Sequence, residues 1–144
     1  ADAGADIITV HYEACNKISP DYLKETLELI KSYGVKCGAV INPDTPAEAI
    51  YPVIHLCDMV LIMSVFPGYG GQKFIPSSLE NVKKVREYAA SIGKSDLDIE
   101  IDGGVTCGNA GEIRAAGANV LVAGSAVFGA PDKAAAIAEI RGAN

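Results

Sequence analysis

Apolar positions along the chain form five short β-prone runs, and each run is followed by a stretch with helical spacing. Short continuous apolar runs favour buried strands, whereas apolar residues at i, i+3, i+4 and i+7 indicate amphipathic helices. No turn typical of a β-hairpin separates the runs. The pattern therefore predicts five consecutive βα units. The predicted strands are residues 7–12, 35–41, 59–65, 99–102 and 120–123.

Start and stop signals bound the predicted helices. Ser19 and Pro20 suit the N-cap and first position of the first helix. Thr45 and Glu48 have the spacing of a capping box at the start of the second. Glycine is favoured where a helix ends in a left-handed conformation. The glycines that end three of the predicted helices are Gly34, Gly93 and Gly117.

Regular βα alternation implies parallel strands joined by right-handed crossovers. A doubly wound open sheet and a (β/α)8 TIM barrel both fit that rule. No G-x-G-x-x-G motif opens a helix after the first strand, which disfavours a dinucleotide-binding sheet. Candidate functional residues lie instead at the carboxyl ends of several strands, as on the active face of a barrel. A closed barrel needs eight strands, however, and five units are too few. The pattern therefore predicts a single α/β domain over residues 1–144 and leaves both architectures open.

Composition and charge disfavour several classes of protein, including nucleic-acid-binding and membrane proteins. The chain has 144 residues, a net charge of −6 and a pI near 4.8, so nucleic acid and acidic membrane surfaces are disfavoured as partners. It has neither the roughly 20 consecutive apolar residues of a membrane helix nor a basic signal-peptide start. The four cysteines form no C-x-x-C pair, which favours free thiols in a reducing cytoplasm. We expect a cytoplasmic globular protein.

A glycine-rich loop follows the third predicted strand. Glycine lets backbone N–H groups approach an anion closely and point several donors at it. Glycine in such a loop can also have a purely steric role, so this loop alone does not distinguish an anion site from a tight turn. The candidate phosphate-binding residues of this loop are Gly68, Tyr69, Gly70 and Gly71.

Two later strands end in similar loops. Asp102 ends the fourth strand and precedes Gly103 and Gly104, so its carboxylate could be a general acid or base, a metal ligand, or a simple turn residue. Gly124 and Ser125 follow the fifth strand at the start of a short helical turn, which suits a phosphate held by backbone amides. Carboxyl ends of neighbouring parallel strands meet at one rim. We therefore expect the three loops to lie together.

Other polar residues carry weaker signals. His11 and Glu13 fall at the end of the first predicted strand, on one face by alternation, either lining the site or forming a pair behind it. We favour the pair. Met63 precedes the glycine loop and either contacts ligand or packs in the core. The sequence lacks the close His-His and Cys-Cys spacings typical of metal sites.

Five blocks of the chain together resemble the ribulose-phosphate 3-epimerase family, in that family's order. The longest, MSVFPGYGGQKF, extends to the Asn-Val pair that follows seven residues later. The resemblance covers essentially the whole chain and matches the family from its fourth strand onward. The five blocks are residues 63–74, 10–14, 42–46, 101–105 and 124–128.

This resemblance implies a (β/α)8 TIM barrel that interconverts D-ribulose 5-phosphate and D-xylulose 5-phosphate. Because the match begins at the family's fourth strand, the resemblance implies an incomplete barrel here, with five βα units for strands four to eight and without strands one to three. Two aspartates on opposite faces of the substrate transfer protons through an enediolate. A divalent metal, commonly zinc, iron or manganese, polarises the substrate oxygens. Asp102 matches the aspartate that also ligates the metal, and the three glycine loops match the substrate- and phosphate-binding loops. An incomplete barrel would expose two sheet edges and would have to associate with another chain or be completed by a further segment, and we expect a homo-oligomer.

The chain departs from the family in what it lacks. The second aspartate, the two metal-binding histidines and a substrate-contacting serine, all on the family's first three strands, have no counterpart here. We therefore expect the chain alone to be inactive. Two alternatives stay open: an epimerase acting on a six-carbon ketose phosphate such as allulose 6-phosphate, and a non-catalytic phosphate-binding or assembly module.

Overall fold

A computed structural model of the chain describes residues 1–68 and 70–143. It contains one sheet in the order β1-β2-β3-β4-β5, and every neighbouring pair is parallel. The predicted succession of βα units is thus confirmed in the described part of the chain. Strand bounds differ from the prediction by one or two residues. The strands are β1 (Ile7–His11), β2 (Lys36–Ile41), β3 (Met59–Met63), β4 (Asp98–Asp102) and β5 (Val120–Val122).

Helices connect the strands and follow the last one. A 3₁₀ turn, Ala47–Ile50, precedes the third of them. The first long helix begins at Tyr22 rather than at Pro20, and the short turn expected after Gly124 is present. The helices are α1 (Tyr12–Asn16), α2 (Tyr22–Ser32), α3 (Tyr51–Ile54), α4 (Ser78–Ser91), α5 (Cys107–Ala116), α6 (Ser125–Phe128) and α7 (Lys133–Arg141).

The capping box predicted at Thr45 is wrong. The Thr45 hydroxyl donates to the Glu13 carboxylate, 2.5 Å away, and does not cap the 3₁₀ turn. The Ala47 amide donates instead to Asn81 Oδ1 at 3.1 Å. The Asn81 side chain of α4 therefore accepts the hydrogen bond of the first amide of this turn, while the Thr45 side chain is bonded to a residue of α1.

The helices cover one face of the sheet. In β3 and β4 the alternate residues Val60, Ile62, Ile99 and Ile101 are fully buried and belong to the hydrophobic core, while their neighbours are only half-buried. A doubly wound sheet has helices on both faces. One covered face is what the wall of a barrel requires, since the other face lines its interior.

Arg86 on α4 ties together the amino-terminal ends of β4 and β5. Its Nη1 donates to Leu97 O at 2.8 Å, and its Nε and Nη2 donate to Gly117 O at 3.0 and 2.8 Å. A further Nη1 bond reaches Ser95 O at 3.0 Å. One guanidinium thus satisfies the carbonyls of two loops at the end of the sheet opposite the carboxyl ends of the strands.

Arg86→Met is expected to lower the free energy of unfolding by about 2–4 kcal/mol, because it leaves several part-buried carbonyls without a donor. Lys83→Met, at an exposed position of the same helix, is the control and should stay within about 0.5 kcal/mol. Urea denaturation followed by circular dichroism measures both. Equal stability of the two variants would show that the arginine network contributes nothing.

The cysteines are free thiols in the described structure, and three of them are buried. Burial raises the pKa of Cys57 to about 12, which keeps it protonated and unreactive at neutral pH. Among residues 1–68 and 70–143, no helix has the length and apolar character needed to cross a bilayer.

Candidate functional site

A cleft of about 830 Å³ opens at the carboxyl ends of β3, β4 and β5. All three predicted loops contribute to its lining, so the predicted convergence at one rim is observed. Tyr69 lies outside the described residues, and His11 is not among the residues lining the cleft. The predicted residues that line it are Met63, Gly68, Gly70, Gly71, Asp102, Gly103, Gly104, Gly124 and Ser125.

Ser64 anchors the glycine loop to the end of β4. It is fully buried, its amide donates to Asp102 O at 2.8 Å, and its hydroxyl lies 2.6 Å from Gly103 O. Its own carbonyl accepts from the Ile75 amide at 2.8 Å, which closes the loop onto its strand. Sequence reasoning did not single out this residue. The sequence feature that could have indicated its role is a serine at the end of an apolar run, directly before the glycine loop.

The backbone conformation and close packing at positions 103 and 104 require glycine. Both have left-handed φ values, +124° and +65°. A Cβ on Gly104 would lie 2.4 Å from the Phe74 nitrogen, and one on Gly103 would lie 2.5 Å from a Val65 methyl carbon. The β4 glycines and the glycine loop are therefore in direct contact.

Gly104→Ala is expected to lower the free energy of unfolding by about 2 kcal/mol or more and to weaken binding of inorganic phosphate. An added methyl group meets backbone atoms at a φ that L-residues rarely adopt. Gly111→Ala is the matched control, since that helical position has no atom within 4 Å of the added carbon. Alanine there should be neutral or stabilising by up to about 1 kcal/mol. Similar losses in both variants would contradict the packing argument.

Asp102 contributes a carboxyl group to the lining of the cleft. It is the last residue of β4 and pairs in register with Met63 and Val122, which lie on the same face. Within the described part of the chain its carboxylate has no hydrogen-bond partner, so the turn-residue alternative receives no support. Burial, followed by the charge of Asp102, raises the pKa of Glu100 two residues earlier. The negative charge at Asp102 therefore acts on the Glu100 carboxyl of the same strand.

Gly124 and Ser125, which follow β5, line the cleft at the start of α6. Gly124 precedes α6, and the amides of Val127 and Phe128 donate to Gly124 O at 3.0 and 2.9 Å. The first amides of a helix have no acceptor within the helix and remain available to a ligand. Gly68, Gly70, Gly71, Gly103 and Gly104 add further backbone N–H groups to the described lining of the cleft, whose one carboxylate is Asp102. Such a lining is suited to an anion held beside an acid or base.

The sequence model of the ribulose-phosphate 3-epimerase family matches residues 1–128. The chain belongs to the ribulose-phosphate 3-epimerase family. It is 53% identical over 142 residues to the Bacillus subtilis ribulose-phosphate 3-epimerase, covering 99% of this chain and 63% of that protein. It is 47% identical to the Escherichia coli K12 enzyme over 141 residues, covering 98% and 60% of the two chains. The chain thus spans about 60% of the length of these epimerases.

Solved structures of more distant proteins share the fold. A 3-hexulose-6-phosphate synthase from Salmonella typhimurium aligns with a TM-score of 0.66 at 21% identity, over 98% of this chain and 62% of its own. A tryptophan synthase complex of Pyrococcus furiosus aligns with a TM-score of 0.64 at 20% identity, over 98% and 57%. These neighbours are TIM-barrel enzymes, so the five βα units form an incomplete barrel of that type.

The described residues do not form a metal site. No group of three or more His, Cys, Asp or Glu side chains is placed to bind an ion in residues 1–68 and 70–143. Asp102 could supply one oxygen ligand. Any divalent metal would therefore need further ligands from outside the described residues.

The alternation argument for His11 and Glu13 is wrong, because β1 ends at His11 and Glu13 belongs to α1. The two side chains nevertheless meet, with Nδ1 and Oε2 3.2 Å apart. His55, by contrast, is exposed at the end of α3.

Proposed function

We propose that this chain forms part of a ribulose-phosphate 3-epimerase that interconverts D-ribulose 5-phosphate and D-xylulose 5-phosphate. The observation that carries the proposal is the cleft in which Asp102 is surrounded by three amide-rich loops, in a chain that belongs to this family. Two of its relatives are named for this activity in Bacillus subtilis and Escherichia coli.

In this proposal the loops after β3, β4 and β5 hold the phosphate, and Asp102 moves the proton at C3 on one face of the sugar. Inversion at C3 requires proton removal on one face and return on the other. Asp102 is the only carboxylate among the described residues that line the cleft, so the opposing group comes from the part of the barrel that this chain does not span.

A C–H bond beside a carbonyl is too weakly acidic for a lone carboxylate at neutral pH, so the enediolate needs electrostatic stabilisation. We propose Asp102 as one ligand of a divalent cation whose other ligands lie outside this chain. Such a cation would supply positive charge next to the enediolate oxygens. The backbone amides of the three loops would meanwhile fix the phosphate and exclude water around it.

The two edges of the sheet support the need for further barrel units. Parallel strands β1 and β5 each have one unpaired edge in the described sheet. Large apolar side chains are also exposed, including Tyr33 at the end of α2 at 63% and Phe128 at the end of α6 at 77%. Further βα units would pair the strands, and contact with a second copy would cover more apolar surface, in keeping with the expected homo-oligomer.

The test uses a completed barrel, made by fusing this chain to the portion of the Bacillus subtilis epimerase that it does not match. We expect conversion of D-ribulose 5-phosphate, measured by a coupled assay for D-xylulose 5-phosphate. The unmatched portion alone is the control. Faster conversion of allulose 6-phosphate would favour a six-carbon substrate. Phosphate binding without conversion of either sugar would favour a non-catalytic module.

A further inference from the structure

A second polar cluster lies at the carboxyl ends of β1 and β2, and Glu13 is at its centre. Glu13 Oε1 accepts from the Asn42 amide at 2.7 Å and from the Thr45 hydroxyl at 2.5 Å. Its other oxygen lies 3.2 Å from His11 Nδ1. One carboxylate thus joins the end of β1, the start of α1 and the loop after β2.

Glu13 is ionised at neutral pH. Burial by itself would raise the pKa of this carboxyl, but the hydrogen bonds from the Asn42 backbone, Thr45 and His11 outweigh it and lower the pKa below its usual value. An ionised carboxylate only accepts hydrogen bonds. The proton shared with His11 therefore belongs to the imidazole.

His11 stands on the same face of the sheet as Asp102. Ile8 and Val10 pack against the core on the helix side, so the alternating residues Thr9 and His11 are on the other face. The His11 side chain is 38% exposed, and its Nε2 has no hydrogen-bond partner among the described residues. Within the described part of the chain the imidazole therefore has one nitrogen bound and the other without a partner, on a residue of the uncovered face.

The position of His11 suits contact with a substrate whose phosphate is held by the loops after β3, β4 and β5. β1 and β4 are three strands apart, about 14 Å along the sheet, and the curvature of a barrel shortens that distance across the interior. His11 and Asp102 are both the last residues of their strands.

We propose that Glu13 is a positioning residue that holds His11 as the Nδ1–H tautomer, so that Nε2 accepts a hydrogen bond from a hydroxyl group of the sugar phosphate. This inference rests on the proposed function and names a further substrate contact within it. Neither residue takes part in the proton transfer at C3.

The first test is the tautomer of His11, read from imidazole ¹⁵N chemical shifts of the 144-residue chain above the histidine titration. The chain has two histidines, and exposed His55 is the internal reference. We expect Nδ1–H at His11. In Glu13→Gln, the amide oxygen can still accept from Asn42 while the amide NH₂ donates to Nδ1, so the tautomer should change to Nε2–H. An Nε2–H tautomer in the unchanged chain overturns the inference.

The second test is steady-state kinetics of the completed barrel with D-ribulose 5-phosphate. His11→Gln and Glu13→Gln should each raise KM about tenfold, the loss of about one hydrogen bond, with kcat changed less than twofold. Because they remove the same contact, the double variant should be no worse than either single one. His55→Gln is the control and should leave KM unchanged.

The outcomes separate this inference from the function on which it rests. An active completed barrel whose KM is unchanged in His11→Gln, or whose two substitutions have additive effects, overturns the inference and leaves the epimerase proposal intact. A completed barrel that converts neither ribulose 5-phosphate nor allulose 6-phosphate refutes the proposed function and, with it, the substrate contact.

Discussion

Asp102→Asn is expected to lower kcat of the completed barrel for D-ribulose 5-phosphate by about 10³-fold or more. The change keeps the size of the side chain and removes its ability to take and return a proton, a role worth about 10²–10⁴-fold in enzymes. Loss of a charged oxygen ligand for any bound cation adds to the effect. A coupled assay with saturating substrate measures kcat directly.

Glu100→Gln is the matched control for this substitution. Glu100 lies on the same strand and face, two residues from Asp102, and it does not line the cleft. Its kcat should stay within about threefold of the unchanged protein. Inorganic phosphate should still inhibit Asp102→Asn through the glycine loops with a similar Kd. A near-normal kcat in Asp102→Asn would refute its role, and equal losses in both variants would indicate a general effect of charge on β4.

The second large effect concerns the 144-residue chain by itself. We expect its epimerase rate to be less than about 10⁻³ of the rate of the completed barrel, because general acid–base catalysis on one face only cannot invert C3. The cleft offers Asp102 and, among its described lining residues, no second carboxylate.

The chain alone should nevertheless keep part of its anion site, since the loops after β3 and β4 are held together by contacts within this chain. Chemical-shift changes of loop glycine amides on addition of inorganic phosphate measure this. Gly104→Ala, which disrupts the loop contact, is the control for specific binding. Epimerase activity that stays with the 144-residue chain through successive purification steps would contradict the assignment of the second acid to another segment.

The sequence predicted the fold well where local patterns decide it. Buried parallel strands such as β3 read as apolar runs, and Gly117 ends α5 with a left-handed φ of +115°, as its position suggested. Predictions failed where distant residues decide. Thr45 has the spacing of a cap, yet its hydroxyl is bound by Glu13, 32 residues earlier. No local pattern contains that contact.

In the candidate site, too, local sequence patterns predicted some features, and contacts between distant residues determined the others. That Asp102 and the glycine loops meet at one rim was predictable, because the carboxyl ends of neighbouring parallel strands lie side by side and glycine marks close backbone approach. Ser64 and the contact between Gly104 and Phe74 were not, since each depends on how the loop after β3 folds over β4. Arg86 reads as an ordinary helix-surface residue, and only the fold places two loops within reach of its guanidinium.

The central claim is that this chain supplies the phosphate loops and one of the two proton-transfer groups of a C3 epimerase. The most direct test follows D-ribulose 5-phosphate by ¹H NMR in D₂O with the completed barrel. Our account predicts that D-xylulose 5-phosphate forms with deuterium at C3, and that Asp102→Asn abolishes both product and label. Formation of xylulose 5-phosphate that retains the original C3 hydrogen, or no conversion by the completed barrel, would contradict it.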